Sequence, residues 1–176
     1  RLMILPEALR LSSRKITLST AGQVDLIKKF QREGLHVNLA ISLNATENKT
    51  RGDIMPINKK YPIEDLMDCL KNYPLKPSRR LTFEYVMLSG INDREEDASR
   101  LVKLLHGIPC KVNLIPFNKF ASSVFEQPSE ERVHKFQQYL LAKNYTVFIR
   151  QNRATDILGA CGQLASQPLS SSIRMT

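Results

Sequence analysis

Short hydrophobic runs alternate with longer amphipathic stretches along most of the chain. Five runs have the length and the β-branched or alternating character of strands. They cover residues 15–19, 36–42, 81–88, 111–116 and 146–150. Between them, apolar residues recur every three or four positions, which is typical of helices with one buried face. This alternation predicts an α/β fold in which parallel strands are joined by right-handed crossovers.

Four helices are predicted between these strands. Their apolar faces are formed by Val24, Ile27 and Phe30; by Ile63, Leu66, Met67 and Leu70; by Leu101, Val102 and Leu105; and by Val133, Phe136 and Leu140. Pro62 suits the first turn of the second helix, Asp93 with Glu96 resembles a capping box, and Ser129 is a candidate N-cap. Residues 43–61 are predicted to be a loop. The pattern leaves open whether the sheet is a doubly wound one or an arc of a barrel.

Composition narrows the class of protein. The chain has 176 residues, and 26 basic against 17 acidic side chains give it a net charge of +9. Such a charge favours polyanionic partners, since Lys and Arg contacts to phosphates supply most non-specific nucleic-acid affinity. No apolar run has the ~18 residues of a membrane span. The three cysteines match neither a disulfide framework nor a zinc site, which favours a cytoplasmic protein.

Ligands of parallel α/β folds bind at the carboxyl ends of the strands. At these ends the sequence places Ser19, Ser42, Asn44 and Asn118, and Cys161 follows the last strand. Hydroxyl and amide groups suit hydrogen bonding to a sugar, an amino acid or an adenine edge. Each also has a structural interpretation, since serines finish strands and asparagines form turns. The three histidines fall elsewhere, so histidine catalysis and a metal site are not expected.

Glu84 and Cys161 each have two interpretations, one structural and one functional. Glu84 lies within a predicted strand, where either an ion pair with Lys or Arg or a catalytic role would explain it. Cys69 and Cys110 are expected to be packing residues. Cys161 lies between Gly159 and Gly162, which leave its sulfur approachable, so a reactive thiol is the competing interpretation.

Six ordered segments of the chain together carry a family resemblance: residues 14–22, 39–45, 55–62, 83–88, 112–118 and 160–164. They resemble the radical S-adenosylmethionine (SAM) RNA methyltransferases. These enzymes methylate C2 of an adenine in 23S rRNA and, in some members, in tRNA. The resemblance implies that this chain forms the last four βα units and the terminal strand of a partial (β/α)6 barrel. The implied boundaries are a lead-in at 1–13, the barrel part at 14–165 and a disordered tail at 166–176.

The same resemblance implies a set of site residues. Cys161 matches the cysteine that is methylated and then carries the one-carbon unit to RNA. Ser19, Ser42, Leu43, Asn44 and Asn118 match positions that contact SAM, although many family members have His where this chain has Asn44. A [4Fe-4S] cluster and an external electron donor are implied for the full-length enzyme. The cluster-binding Cys-x-x-x-Cys-x-x-Cys loop has no counterpart here, so the chain alone is expected to be inactive.

Three alternatives remain at this point. A C8-specific adenine methyltransferase would resemble the same segments. A catalytically silent RNA-binding module would keep the barrel and lose the cluster. An unrelated barrel hydrolase or isomerase is disfavoured, because the predicted rim lacks an acid–base pair.

Overall fold

Five parallel strands form a single sheet in the computed structural model, which describes residues 10–120 and 123–150. The strands are β1 (Thr17–Thr20), β2 (Asn38–Ser42), β3 (Leu81–Met87), β4 (Cys110–Pro116) and β5 (Thr146–Ile149). Their order in the sheet is the order in the chain, and every neighbouring pair is parallel. Right-handed crossovers between successive neighbours put all connecting helices on one face. The sheet is therefore an arc of a barrel, and the α/β prediction is confirmed.

Five helices connect or flank these strands. They are α1 (Val24–Arg32), α2 (Asn48–Ile54), α3 (Ile63–Lys71), α4 (Glu95–Leu105) and α5 (Glu130–Ala142), with 3-10 turns at Ser13–Lys15 and Pro56–Lys59. The prediction of a loop over residues 43–61 is wrong, because α2 and the second 3-10 turn lie within it. Helix α2 has no apolar stripe, and its buried side chain is Arg51. Hydrophobic periodicity cannot detect such a helix.

The helix starts only partly follow the sequence signals. Ser129 caps α5, since its side chain accepts from the Arg132 N–H at 3.3 Å. The capping box predicted at Asp93 lies one residue later, where the Arg94 N–H donates to Asp97 Oδ2 at 3.2 Å. Asp93 instead accepts from the Gly90 N–H and from Arg132. It therefore ties the loop after β3 to α5.

The hydrophobic core lies between the sheet and α1, α3, α4 and α5. Alternate residues of the central strand, Leu81, Phe83, Tyr85 and Met87, are fully buried in it. The helices contribute Val24, Ile27, Ile63, Leu66, Met67, Leu70, Ala98, Leu101, Leu105, Val133, Phe136 and Leu140. Because side chains alternate along a strand, the intervening residues of β3 point to the opposite, helix-free face. That inner face of the sheet is thus left uncovered by α1, α3, α4 and α5.

None of the helices in the described residues is both long enough and apolar enough to cross a bilayer. The boundaries at 13/14 and 165/166 stay predictions. Residues 1–9 and the tail at 166–176 lie outside the described part of the chain.

Candidate functional site

The inner face of the sheet carries a row of polar side chains. Strand register aligns Ser42 of β2 with Glu84 of β3, and Glu84 with Asn113 of β4. Each of the three residues is partly accessible to solvent. The row runs across β2, β3 and β4, and at β2 it reaches the carboxyl end of the strand. Barrels bind their ligands at that end of their strands.

Ser19 joins this row from the edge strand β1. Its hydroxyl donates to Glu84 Oε2 at 3.4 Å. The bond spans β2 near Ala40, the residue directly paired with Ser19. The methyl side chain of Ala40 leaves room for this crossing. Ser19, Ser42 and Glu84 thus lie on the same face of the sheet, and contact of the two serines with SAM stays a prediction.

Leu43 and Asn44 continue β2 beyond the sheet, and both are held by internal contacts. The Leu43 side chain is fully buried, and its N–H donates to the Glu84 carbonyl at 3.0 Å. Asn44 has a positive φ of 59°, a region that Asn enters more readily than most residues. Its Oδ1 accepts from the Val86 N–H at 2.9 Å, and its Nδ2 lies 3.2 Å from Met55 Sδ. The Leu43 side chain does not reach the inner face, and contact of either residue with a cofactor stays a prediction.

A buried asparagine that the sequence did not single out holds the ends of β2 and β3 together. The Asn92 side chain donates to the carbonyls of Asn44 and Val86, each at 2.7 Å. Its Oδ1 accepts from the Leu88 N–H at 2.6 Å, and its own carbonyl accepts from the Tyr85 hydroxyl at 2.9 Å. Asn92 is wholly inaccessible to solvent, so these bonds fix the rim beside Asn44. No pattern in the sequence distinguished Asn92 from an exposed polar residue.

Arg51 of α2 performs a similar task at the ends of β1 and β2. This fully buried guanidinium donates to the carbonyls of Ala21 (2.8 Å), Ser42 (3.3 Å) and Leu43 (3.0 Å). It also donates to Asn58 Oδ1 at 3.0 Å. Burial lowers the pKa of Arg51, yet arginine stays charged throughout the pH range of proteins. The guanidinium thus sets the backbone that carries Ser42.

Asn118 follows β4 in a segment rich in aromatic side chains. The Phe117 N–H donates to the Met87 carbonyl at 3.0 Å, and the Phe117 ring contacts Phe120 and Phe125 with centroids 5.9 and 6.1 Å away. These contacts anchor the segment at the carboxyl edge. The Asn118 side chain is partly accessible to solvent there. Its contact with SAM stays a prediction.

The cysteines and histidines of the described residues offer no alternative chemistry. Cys69 and Cys110 are buried, and desolvation raises the pKa of both thiols, that of Cys110 to about 12. His36, His106 and His134 are exposed and separate from the polar row. No group of three or more potential metal ligands occurs among residues 10–120 and 123–150. Cys161, the predicted methyl carrier, lies outside the described residues.

Comparison with known proteins identifies relatives along nearly the whole chain, although no family model matches it. A dual-specificity RNA methyltransferase RlmN from Syntrophobacter fumaroxidans is 49% identical over 95% of this chain and 48% of its own length. The RlmN of Desulfosudis oleivorans is 51% identical over 90% of this chain and 42% of its own length. The chain therefore spans about half the length of these relatives.

Solved structures agree with the sequence relatives. A radical SAM methyltransferase from Sphaerobacter thermophilus superimposes with a TM-score of 0.85 at 40% identity, covering 92% of this chain and 47% of its own. A domain of a pyruvate-formate lyase-activating enzyme from Bacteroides vulgatus, 14% identical with a TM-score of 0.58, shares the fold alone. The arc-shaped sheet, its polar inner face and these similarities agree with one another, and the chain is homologous over nearly its whole length to about half of these radical SAM and RNA methyltransferases.

Proposed function

We propose that the protein is a radical SAM methyltransferase that transfers a methyl group to C2 of an adenine in 23S rRNA, and also in tRNA, through S-methylated Cys161. The observation that carries this proposal is the polar inner face of a half-barrel that resembles a radical SAM methyltransferase over 92% of the chain. The named relatives supply RNA as the substrate class.

The residues of the inner face fit SAM. A ligand with ribose hydroxyls, an amino-acid end and a positive sulfonium needs hydrogen-bonding groups and negative charge. Ser19, Ser42 and Asn113 offer the first, and Glu84 offers the second. Bound there, SAM would supply an electrophilic methyl group and, when reduced, a carbon radical.

Cys161 is the proposed acceptor of that methyl group. Its thiolate would attack the sulfonium methyl carbon, forming a new carbon–sulfur bond while the bond to SAM breaks. The electron pair of the broken bond stays on the departing sulfur, which leaves as a neutral thioether. Adenine C2 is an electron-poor carbon that cannot make this attack itself. A thiol carrier therefore explains why the chemistry needs a cysteine.

A [4Fe-4S] cluster is the cofactor of this enzyme class, but the residues of this chain do not fit it. The cysteines at 69, 110 and 161 are too far apart in sequence for a cluster-binding loop. The thiols of Cys69 and Cys110 are moreover buried with raised pKa values. The 176 residues by themselves are accordingly expected to catalyse no transfer.

The partners proposed for the full-length protein are RNA and an electron donor, in the cytoplasm. Support for RNA beyond the relatives comes from the net charge of +9. Within the described residues, the basic side chains at the amino ends of the strands form no ion pair with a carboxylate; they are Arg14, Lys15, Arg79, Arg80 and Lys111. Arg79 and Arg80 donate to neutral groups, Asn38 and Thr146, so their positive charge is not neutralised by these contacts and suits phosphates.

Peptide mass spectrometry of the active full-length protein tests the carrier role. We expect one additional methyl group on Cys161 and none on Cys69 or Cys110. Cys161→Ala should abolish RNA methylation while SAM binding survives, and Cys69→Ala serves as the matched control. Active protein with unmodified Cys161, or RNA methylation by Cys161→Ala, would refute the proposal. Product nucleosides with the methyl group at C8 would instead identify the C8-specific alternative.

A further inference from the structure

Glu84 is a carboxylate on the inner face without a cationic partner in the described residues. It lies on the central strand of the sheet and is partly buried. Its side chain is contacted by a neutral donor, the Ser19 hydroxyl, at 3.4 Å. The ion pairs formed within residues 10–120 and 123–150 all use other carboxylates: Asp25, Glu47, Asp93, Asp97, Glu126 and Glu131. The structural ion pair considered from the sequence is thus not formed there.

The described residues around Glu84 are polar but carry little compensating charge. Register places Ser42 and Asn113 on either side of it. The basic residue nearest by register is Lys111, which is paired with Thr82 one row toward the amino ends of the strands. Lys111 forms no ion pair with Glu84 in the described part of the chain. A negative charge therefore remains where the ligand is proposed to bind.

Burying part of a carboxylate is costly unless a positive group approaches it. SAM carries a sulfonium, an ammonium and a carboxylate. The ammonium and the carboxylate sit on the same carbon and compensate each other. The sulfonium has no counter-charge within the molecule, so it is the part of SAM that an isolated carboxylate stabilises most.

From this arrangement we infer that Glu84 binds the sulfonium of SAM and makes the site prefer SAM over its neutral product, S-adenosylhomocysteine. Ser42 and Asn113 flank the carboxylate, and the Ser19 hydroxyl donates to one of its oxygens. Methyl transfer removes the positive charge from the ligand, which weakens its attraction to Glu84. The carboxylate thereby favours exchange of product for a fresh SAM. This inference rests on the proposed function, because it assumes that SAM occupies the inner face.

Calorimetric titration of the full-length protein with SAM and with S-adenosylhomocysteine tests the inference without any turnover. Glu84→Gln keeps the shape and a hydrogen-bonding side chain but removes the charge. We expect it to weaken SAM binding about tenfold, the effect of one partly screened charge pair, and to leave S-adenosylhomocysteine binding within about twofold. Glu96→Gln, on the exposed first turn of α4, is the matched control and should change neither affinity.

The outcomes separate this inference from the proposed function. An equal loss of affinity for both ligands in Glu84→Gln would overturn the inference, since the carboxylate would then contact a group that both ligands share. Unchanged affinity for both ligands would also overturn it. A wild-type protein that binds neither ligand would instead refute the proposed function itself. If Glu84→Gln unfolds at the same temperature as the wild-type protein, a loss of affinity reflects the lost charge and not a lost structure.

Discussion

Replacing Arg51 with alanine is predicted to destabilise the protein strongly, although the sequence places this residue in an apparently featureless segment. The guanidinium is fully buried and donates to the carbonyls of Ala21, Ser42 and Leu43 and to the side chain of Asn58. Arg51→Ala removes this donor from all four acceptors, of which the Leu43 carbonyl still accepts from the Ala45 N–H at 2.8 Å. Each buried acceptor that loses its partner costs about 1–3 kcal/mol.

The net loss of stability is smaller than the summed costs of the individual unpaired acceptors. Water can enter the vacated space, and the free energy spent on burying the guanidinium is recovered. We therefore expect a loss of about 4 kcal/mol, a large fraction of the ~5–15 kcal/mol that stabilises a typical domain. Arg51→Lys keeps the charge but cannot donate in several directions at once, so we expect about half of that loss.

Urea denaturation followed by far-ultraviolet circular dichroism measures this effect. With a slope of about 2 kcal/mol per molar urea, a loss of 4 kcal/mol lowers the midpoint by about 2 M. Lys49→Ala, an exposed position in the same helix, is the control and should change stability by less than about 0.5 kcal/mol. A loss below about 1 kcal/mol for Arg51→Ala would refute the proposed role of the guanidinium.

Four further predictions follow from particular contacts. Asn92→Ala should lower the free energy of unfolding in urea by about 3 kcal/mol, because three buried backbone groups lose their partner. Asn72→Ala, at the exposed end of α3, should cost far less. Similar losses for the two variants would contradict the role of Asn92 in holding β2 and β3 together. Gly22→Ala should destabilise the protein by about 2 kcal/mol, because Gly22 has a φ of +96° and a Cβ there would lie 2.9 Å from Leu66 Cδ2. Gly52→Ala, in open space within α2, should be neutral or stabilising. A larger loss of stability for Gly52→Ala than for Gly22→Ala would be inconsistent with the structure. Burial raises the pKa of Cys110 to about 12, which lowers its thiolate fraction at pH 8. Its reaction with iodoacetamide at that pH should therefore be at least about a hundredfold slower than that of free cysteine. Equal labelling rates in peptide mass spectrometry would show that this thiol is not buried. RNA affinity in filter binding should fall steeply with added salt, and a flat dependence would argue against phosphate contacts.

The predictable part of the fold is the part that follows from hydrophobic periodicity. The strands and the helices with an apolar stripe, such as α3 with Ile63, Leu66 and Met67, are present as the pattern predicted. Periodicity alone could not predict their consecutive order in the sheet, because a doubly wound sheet and a barrel produce the same alternation along the chain. The family resemblance did predict a partial barrel, and the strand order confirms it. Only the pairing of strands distinguishes the two.

The site was predictable to a smaller extent. Ser19 and Ser42 could be placed at strand ends, and the structure brings both near Glu84. Arg51 and Asn92 escaped detection because a buried polar side chain in a helix without a stripe, or in a turn, looks in sequence like an exposed one. Their roles depend on carbonyl groups that are distant in sequence, and only the folded chain shows where those carbonyls point.

A crystal structure of the full-length protein with bound SAM is the most direct test of the claim that the inner face of the sheet is the cofactor site. We predict that polar atoms of the ligand lie within about 3.5 Å of the side chains of Ser19, Ser42 or Glu84, with its sulfonium on the side of the Glu84 carboxylate. Binding on the helix-covered face, or at the amino ends of the strands, would contradict the account.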